Sequence, residues 1–191
     1  MSSIPARFAH LTKAPKPGWL VKALEEIGQR EVSGAASNPR ILQYRKMGKT
    51  PLGGDDGAVP WCAIFTNAML EVTGVPGSGS AMARSYVSSG SFRKLAQPML
   101  GCVAVKSSNR GPASGHVGFY VGEDGLFLYL MGGNQNDEAN ISAFRKSEFI
   151  GFYWPKGQPE PPAPWNGPYR LSRPPLPHEK RAAASGPTRE A

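Results

Sequence analysis

The hydrophobic pattern of the chain changes its period once, near residue 100, and that change limits the folds open to it. Before it, apolar residues recur at helical spacing. Trp19, Leu20, Ala23, Leu24 and Ile27 share one face of a helix over residues 19–27, with Gly28 as terminator. Over residues 60–73, Trp61, Phe65, Ala68, Met69 and Val72 do the same, with Pro60 at the entry and Gly74 and Pro76 beyond the end. The turn Gly77-Ser78-Gly79-Ser80 leads to a third, short helix over 81–88, with Ser80 as N-cap. After the change, residues 101–106, 116–121, 126–131 and 149–154 alternate as strands. The middle two are joined by Gly122-Glu123-Asp124-Gly125, whose Asp-Gly pair signals a hairpin. Helices followed by strands predict an α+β fold, with N-terminal helices packed on an antiparallel sheet.

With 191 residues, 40% of them hydrophobic, the chain can bury one core of ordinary size. No stretch approaches the ~20 consecutive apolar residues of a membrane span. The N-terminal residues lack the apolar run of a secretory signal. Cys62 and Cys102 are the only cysteines, so disulfides are not expected to hold the fold. No Cys/His cluster has the spacing of a metal site, and no cofactor is expected. Ten of the 19 prolines fall in residues 155–191, so 156–191 reads as an extended or disordered tail. In it, Trp165 and Tyr169 either dock on the body, serve a partner's groove or are incidental. Residues 1–17 read as an extended basic arm, and 18–155 as the folded domain.

The net charge of +8 sits mostly at the ends: each flank carries +3 and the body +2. A nucleic-acid footprint, which needs a basic stripe on a folded surface, is not expected. Basic flanks would instead be drawn to anionic envelope polymers, with a dependence on salt, or serve only as solvated tails.

Chemistry concentrates in three places. Cys62 lies in the first turn of the helix over 60–73, where unpaired N–H groups and the helix dipole favour a thiolate; the alternative is a small core residue. His116 opens a strand between Gly115 and Gly118, and is the one histidine of the body, with His10 in the arm and His178 in the tail. Met131-Gly132-Gly133-Asn134-Gln135-Asn136 follows the partner strand. The hairpin brings Asn134 or Gln135 to the second ring nitrogen of His116, unless Gly-Gly-Asn is a plain turn. Cysteine, histidine and an orienting amide in that chain order form a papain-type arrangement. Arg84 and Tyr120 are candidate cleft residues. Asp55-Asp56 is either a substrate-facing or a solvated loop, and Cys102 reads as a buried structural thiol.

Pro60-Trp61-Cys62-Ala63-Ile64-Phe65, Gly77-Ser78-Gly79-Ser80-Ala81-Met82-Ala83-Arg84-Ser85, Ser114-Gly115-His116-Val117-Gly118-Phe119-Tyr120-Val121-Gly122 and Gly132-Gly133-Asn134-Gln135 together resemble a bacterial and phage family of cysteine peptidoglycan hydrolases. That family is related to the CHAP and NlpC-type amidases and endopeptidases. Gly28-Gln29-Arg30-Glu31-Val32-Ser33-Gly34 and Asn38-Pro39-Arg40-Ile41 with Tyr44 are also similar, so the resemblance spans roughly residues 19–155. Gly101-Cys102 departs from it, where such proteins commonly have Gly-Asp.

The resemblance implies a papain-like fold with the nucleophile at a helix N-terminus. It further implies cleavage of a muramoyl-alanine or stem-peptide amide bond by a Cys62-His116-Asn134 triad. Trp61, Asp56, Arg84 and Gln135 are the implied substrate contacts. Two other classes stay open: a catalytically idle wall-binding or phage-tail module, and a cysteine amidase or acyltransferase with another substrate. A monomer acting on peptidoglycan is expected. Delivery would be phage- or secretion-system-dependent, since no secretory signal is read.

Overall fold

The computed structural model describes residues 4–32, 37–50, 54, 57, 59–108 and 115–172. Helices come first and strands second: α1 (His10–Lys13), α2 (Gly18–Glu25), α3 (Pro39–Met47), α4 (Cys62–Glu71) and α5 (Ser85–Ser88), then β1 (Phe92–Leu95), β2 (Val103–Ser107), β3 (Gly115–Glu123), β4 (Phe127–Gly132), β5 (Asn140–Arg145) and β6 (Phe149–Pro155). The six strands form one antiparallel sheet in the order β1-β6-β2-β3-β4-β5. The fold is α+β.

Helix α4 is the central element. Residues 62 through 70 are all buried, so it is covered all round rather than along one face. Its polar residue Asn67 is satisfied by a neighbouring loop. Asn67 Oδ1 accepts from Ser78 N at 2.8 Å and Tyr86 Oη at 2.6 Å, and its Nδ2 donates to Ser80 O at 2.8 Å. The Gly77–Ser80 turn is thereby fastened to α4.

Helix α3, unassigned in the sequence pattern, begins with Asn38 as N-cap, its side chain accepting from Arg40 N at 2.8 Å, and with Pro39 in the first turn. It ends at Gly48, where a Cβ would crowd the backbone of α4 at Ile64 and Ala68. The absent side chain lets the end of α3 rest on α4. Of the third predicted helix only Ser85–Ser88 forms; Ser80 Oγ accepts from Met82 N at 3.2 Å and caps a turn ahead of it.

The hairpin of β3 and β4 forms where expected. Asp124 Oδ1 accepts from Phe127 N at 3.2 Å, and the register shifts between Tyr120 and Gly122. Strands β1 and β5 were not expected. Each is short and carries polar residues at several positions.

Both flanks depart from the sequence reading. Residues 6–13 are helical rather than extended: a 3-10 turn (Ala6–Phe8) precedes α1, burying Phe8 and Leu11. Arg7 pairs with Asp124 at 2.8 Å and stacks over the Tyr129 ring at 4.5 Å. The folded body also continues past Pro155, so the boundary expected there is too early. Residues 156–172 are bound to it: Leu100 N donates to Trp165 O at 3.0 Å, Glu123 N to Tyr169 O at 2.8 Å and Leu171 N to Glu123 O at 2.8 Å. The ring of His10 lies parallel to Trp165 at 5.6 Å and against Tyr169 at 4.4 Å. Aromatic contact and backbone pairing give this proline-rich stretch the partners that its composition alone does not promise. The remainder of the predicted tail, residues 173–191, lies outside the described residues.

Candidate active site

Trp61 is the N-cap residue of α4, and its carbonyl accepts from Phe65 N at 2.8 Å. Cys62 therefore occupies the first helical position, where the N–H groups of the first turn have no carbonyl of their own helix to meet. His116 is the second residue of β3, and α4 packs on β3 and β4.

Two sets of contacts tie the start of α4 and its neighbours to the strand and turn around His116. On one side, a Cβ at Gly133, just past β4, would overlap the Trp61 ring and the Phe65 Cβ, so the turn carrying Gln135 abuts the start of α4. On the other, the Arg84 side chain reaches within 3.5 Å of where a Cβ at Gly115 would sit, beside His116. Burial is the main cause holding the Tyr86 phenol protonated far above its ordinary range; Ser78 opposes it, and Cys62 adds to it.

The imidazole of His116 is oriented by Gln135, with 3.0 Å between His116 Nε2 and Gln135 Oε1. The amide cannot be turned over. Gln135 Nε2 faces three acceptors, Leu130 O at 3.2 Å, Asn140 O at 2.7 Å and Asn140 Oδ1 at 3.0 Å, so its oxygen must face the ring. The neutral imidazole then carries its proton on Nε2, which donates to Oε1, and Nδ1 is the basic nitrogen. Asn140 Nδ2 returns a hydrogen bond to Gln135 O at 2.7 Å and closes the loop. The Phe144 ring lies 5.0 Å from the imidazole.

The hairpin reading allows either Asn134 or Gln135 at the ring and the resemblance implies Asn134; in the structure it is the Gln135 amide that bonds His116. Asn134, Asn136 and Asp137 have positive φ, at 55°, 56° and 60°, so the turn around Gln135 leaves the alternation that a strand would impose. Short polar side chains tolerate that conformation, but nothing in Asn-Gln-Asn-Asp says which of its members will turn inward.

Of the other predicted residues, Trp61 is 1% exposed. It packs at 6.0 Å on Tyr44, and its indole N–H donates to Glu31 Oε1 at 2.7 Å, so it supports the site from behind. Tyr44 in turn donates to Glu26 Oε2 at 2.8 Å, and Arg40 grips the same carboxylate. Arg84 stands beside the His116 strand, and among the described residues its guanidinium forms no hydrogen bond or ion pair. Tyr120 is buried in the clasp of the C-terminal segment, its hydroxyl accepting from Tyr169 N at 2.9 Å. Asp55 and Asp56 lie outside the described residues. Cys102 is buried, and burial pushes its thiol up to about 12, as suits a structural residue.

Sequence reasoning did not find the support from Glu31 and Asn140. The signal for Asn140 was its position five residues beyond Gln135, across the end of β4; for Glu31 no local pattern exists, since its partner is thirty residues away.

Among the described residues no three His, Cys, Asp or Glu gather as metal ligands would. None of their helices is long and apolar enough to cross a membrane. A cleft of about 260 Å³, lined by Pro15, Pro17, Trp19, Pro159 and Pro161 among others, contains none of the candidate site residues. Comparison with protein-family models, curated proteins and solved structures finds no match to the chain.

Proposed function

We propose that the chain is a papain-like cysteine hydrolase that cleaves an amide bond in the peptide part of peptidoglycan, with Cys62 as nucleophile, His116 as base and acid, and Gln135 as the group that orients the ring. The observation that carries this reading is the hydrogen bond of Gln135 to His116 Nε2, with the amide itself fixed by Asn140 and Leu130. A histidine held in one tautomer, on a strand packed against the helix that begins with Cys62, is the arrangement a thiolate-imidazolium pair requires.

In the proposed reaction, His116 Nδ1 takes the proton of Cys62 and the thiolate adds to the carbonyl carbon. The first-turn N–H groups of Cys62 and Ala63 meet the developing oxyanion. Removal of one such donor costs about 10²–10³ in kcat in other hydrolases. The C–N bond then breaks, and the leaving amine takes its proton from the imidazolium. Water, deprotonated by His116, attacks the thioester and releases a carboxylic acid and the free thiol. Arg84 is proposed to receive a carboxylate of the stem peptide, as a guanidinium without an acidic partner among the described residues can do. Anionic envelope polymers remain a proposed attraction for the basic flanks.

Turbidity loss of purified peptidoglycan tests the reading, with wild type beside Cys62→Ala and mass spectrometry of the soluble products. Clearing by wild type alone is expected, and the new termini will identify the bond. Full burial of both Cys62 and His116 bears against turnover, and the second reading is a wall-binding module without it. Co-sedimentation with peptidoglycan by both proteins, with clearing by neither, would select it.

A further inference from the structure

The segment of residues 28–31 touches both halves of the candidate site and belongs to neither. Glu31 Oε1 accepts from Trp61 Nε1 at 2.7 Å, and Trp61 immediately precedes Cys62. The backbone N–H of the same residue donates to Asp137 O at 2.9 Å, in the turn that carries Gln135. Around it, Gly28 N donates to Ala139 O at 2.9 Å, Ala139 N to Gln29 O at 2.8 Å, and Arg30 forms an ion pair with Glu138.

We propose that Glu31 is a positioning residue that sets the relation of Cys62 to His116, its side chain holding the start of α4 and its backbone holding the turn that orients the imidazole. The inference rests on the reading of Cys62 and His116 as a working pair. Packing alone leaves the Trp61 ring a freedom that the hydrogen bond removes. Tyr44 lies nearly parallel to it, at 28°, and Phe65 crosses it at 67°, contacts that fix its plane more firmly than its position within that plane. A directional bond from the indole N–H to a carboxylate fixes that position, and charge on the acceptor strengthens it. Because Gly133 lies directly on the ring, a shift of Trp61 would move the Gln135 turn as well as the first turn of α4.

Alkylation of the full-length protein by iodoacetamide at pH 6, followed at Cys62 by peptide mass spectrometry, tests the proposal without any substrate. At that pH an ordinary thiol is almost wholly protonated, so rapid modification reports a sulfur paired with imidazolium. Glu31→Ala and Trp61→Phe are each expected to slow modification of Cys62 about ten-fold or more. Glu31→Gln, which keeps an acceptor oxygen, is expected to stay within about three-fold of wild type. The double variant Glu31→Ala/Trp61→Phe should be no slower than either single one, since both remove the same bond.

Wild-type rates in Glu31→Ala and Trp61→Phe, multiplying effects in the double variant, or a Glu31→Gln as slow as Glu31→Ala would each overturn the proposal. Should Glu31→Ala unfold, Trp61→Phe and Glu31→Gln still decide it. If wild-type Cys62 itself reacts as slowly as Cys102, the Cys62–His116 reading fails and the positioning role fails with it. Failure to clear peptidoglycan beside fast, Glu31-dependent alkylation would remove only the proposed substrate.

Discussion

The proton of His116 is assigned by an amide nineteen positions along the chain, and that amide is assigned by Asn140. Gln135→Ala is therefore expected to lower kcat about 10- to 10²-fold on any substrate the chain turns over, with KM little changed, because the ring loses its fixed tautomer while the binding surface stays. Steady-state kinetics of the two proteins would check this, and an unchanged kcat would remove Gln135 from the proposed mechanism. Gly133 offers a second test. Its Cβ position is already occupied by Trp61 and Phe65, so Gly133→Ala should cost about 1–3 kcal/mol of stability, read by chemical denaturation, and should also depress activity through the displaced turn. The two cysteines supply a third: Cys62 should alkylate at neutral pH, whereas Cys102, its thiol pushed up to about 12 by burial, should be modified only on unfolding.

Among the elements, α4 and the β3–β4 hairpin were legible because each carries a long pattern with its own punctuation, Pro60 and Gly74 for the helix and Asp124-Gly125 for the turn. Strands β1 and β5 were not, since four or six residues with Arg, Lys, Asn and Ser among them hold no clear alternation and take their conformation from the strands beside them. At the candidate site, the placement of Cys62 at the start of α4 and of His116 on β3 could be read from the sequence pattern. The choice between Gln135 and Asn134 could not, because left-handed residues on both sides of Gln135 remove the alternation by which a strand pattern is read. The C-terminal segment was legible only as a set of alternatives: proline content predicted an extended or disordered tail on which Trp165 and Tyr169 dock, serve a partner or are incidental, and docking is what occurs, with both rings against His10. Burial, opposed by the His10 bond to Val121 O and assisted by Lys16, holds the imidazole below its ordinary 6.5. The unfolded chain therefore binds the proton more readily than the folded one, and the clasp stabilises fully above pH 6.5 and loses that contribution as the pH falls through the lower folded value. Thermal melts across this range should show wild type losing stability in mild acid, and His10→Phe losing less of it. Parallel curves would dismiss the clasp as a titrating element.

Over the whole molecule, acid has a second effect. Burial alone would raise the carboxyls of Glu26 and Asp124, but hydrogen bonds from Arg40 and Tyr44 to the first, and from Tyr129, Phe127 and Arg7 to the second, outweigh it and hold both low. Their contribution is complete above the ordinary carboxylate range and is lost as the pH drops through the depressed folded values. Unfolding by denaturant should therefore become easier below about pH 4, and Glu26→Gln should shrink that dependence while costing about 1.5–3 kcal/mol at pH 7. The order of the sheet also bears on how the molecule is made. Strand β6 lies between β1 and β2, so the last of these six strands in chain order fills an interior place. Until it arrives, β1 has no partner and one edge of β2 stays unpaired, so the sheet cannot be completed by adding strands in the order of synthesis. A chain stopped short of residue 149 would keep its proposed nucleophile, histidine and orienting amide and yet carry an open seam, fit to pair with another unfinished copy.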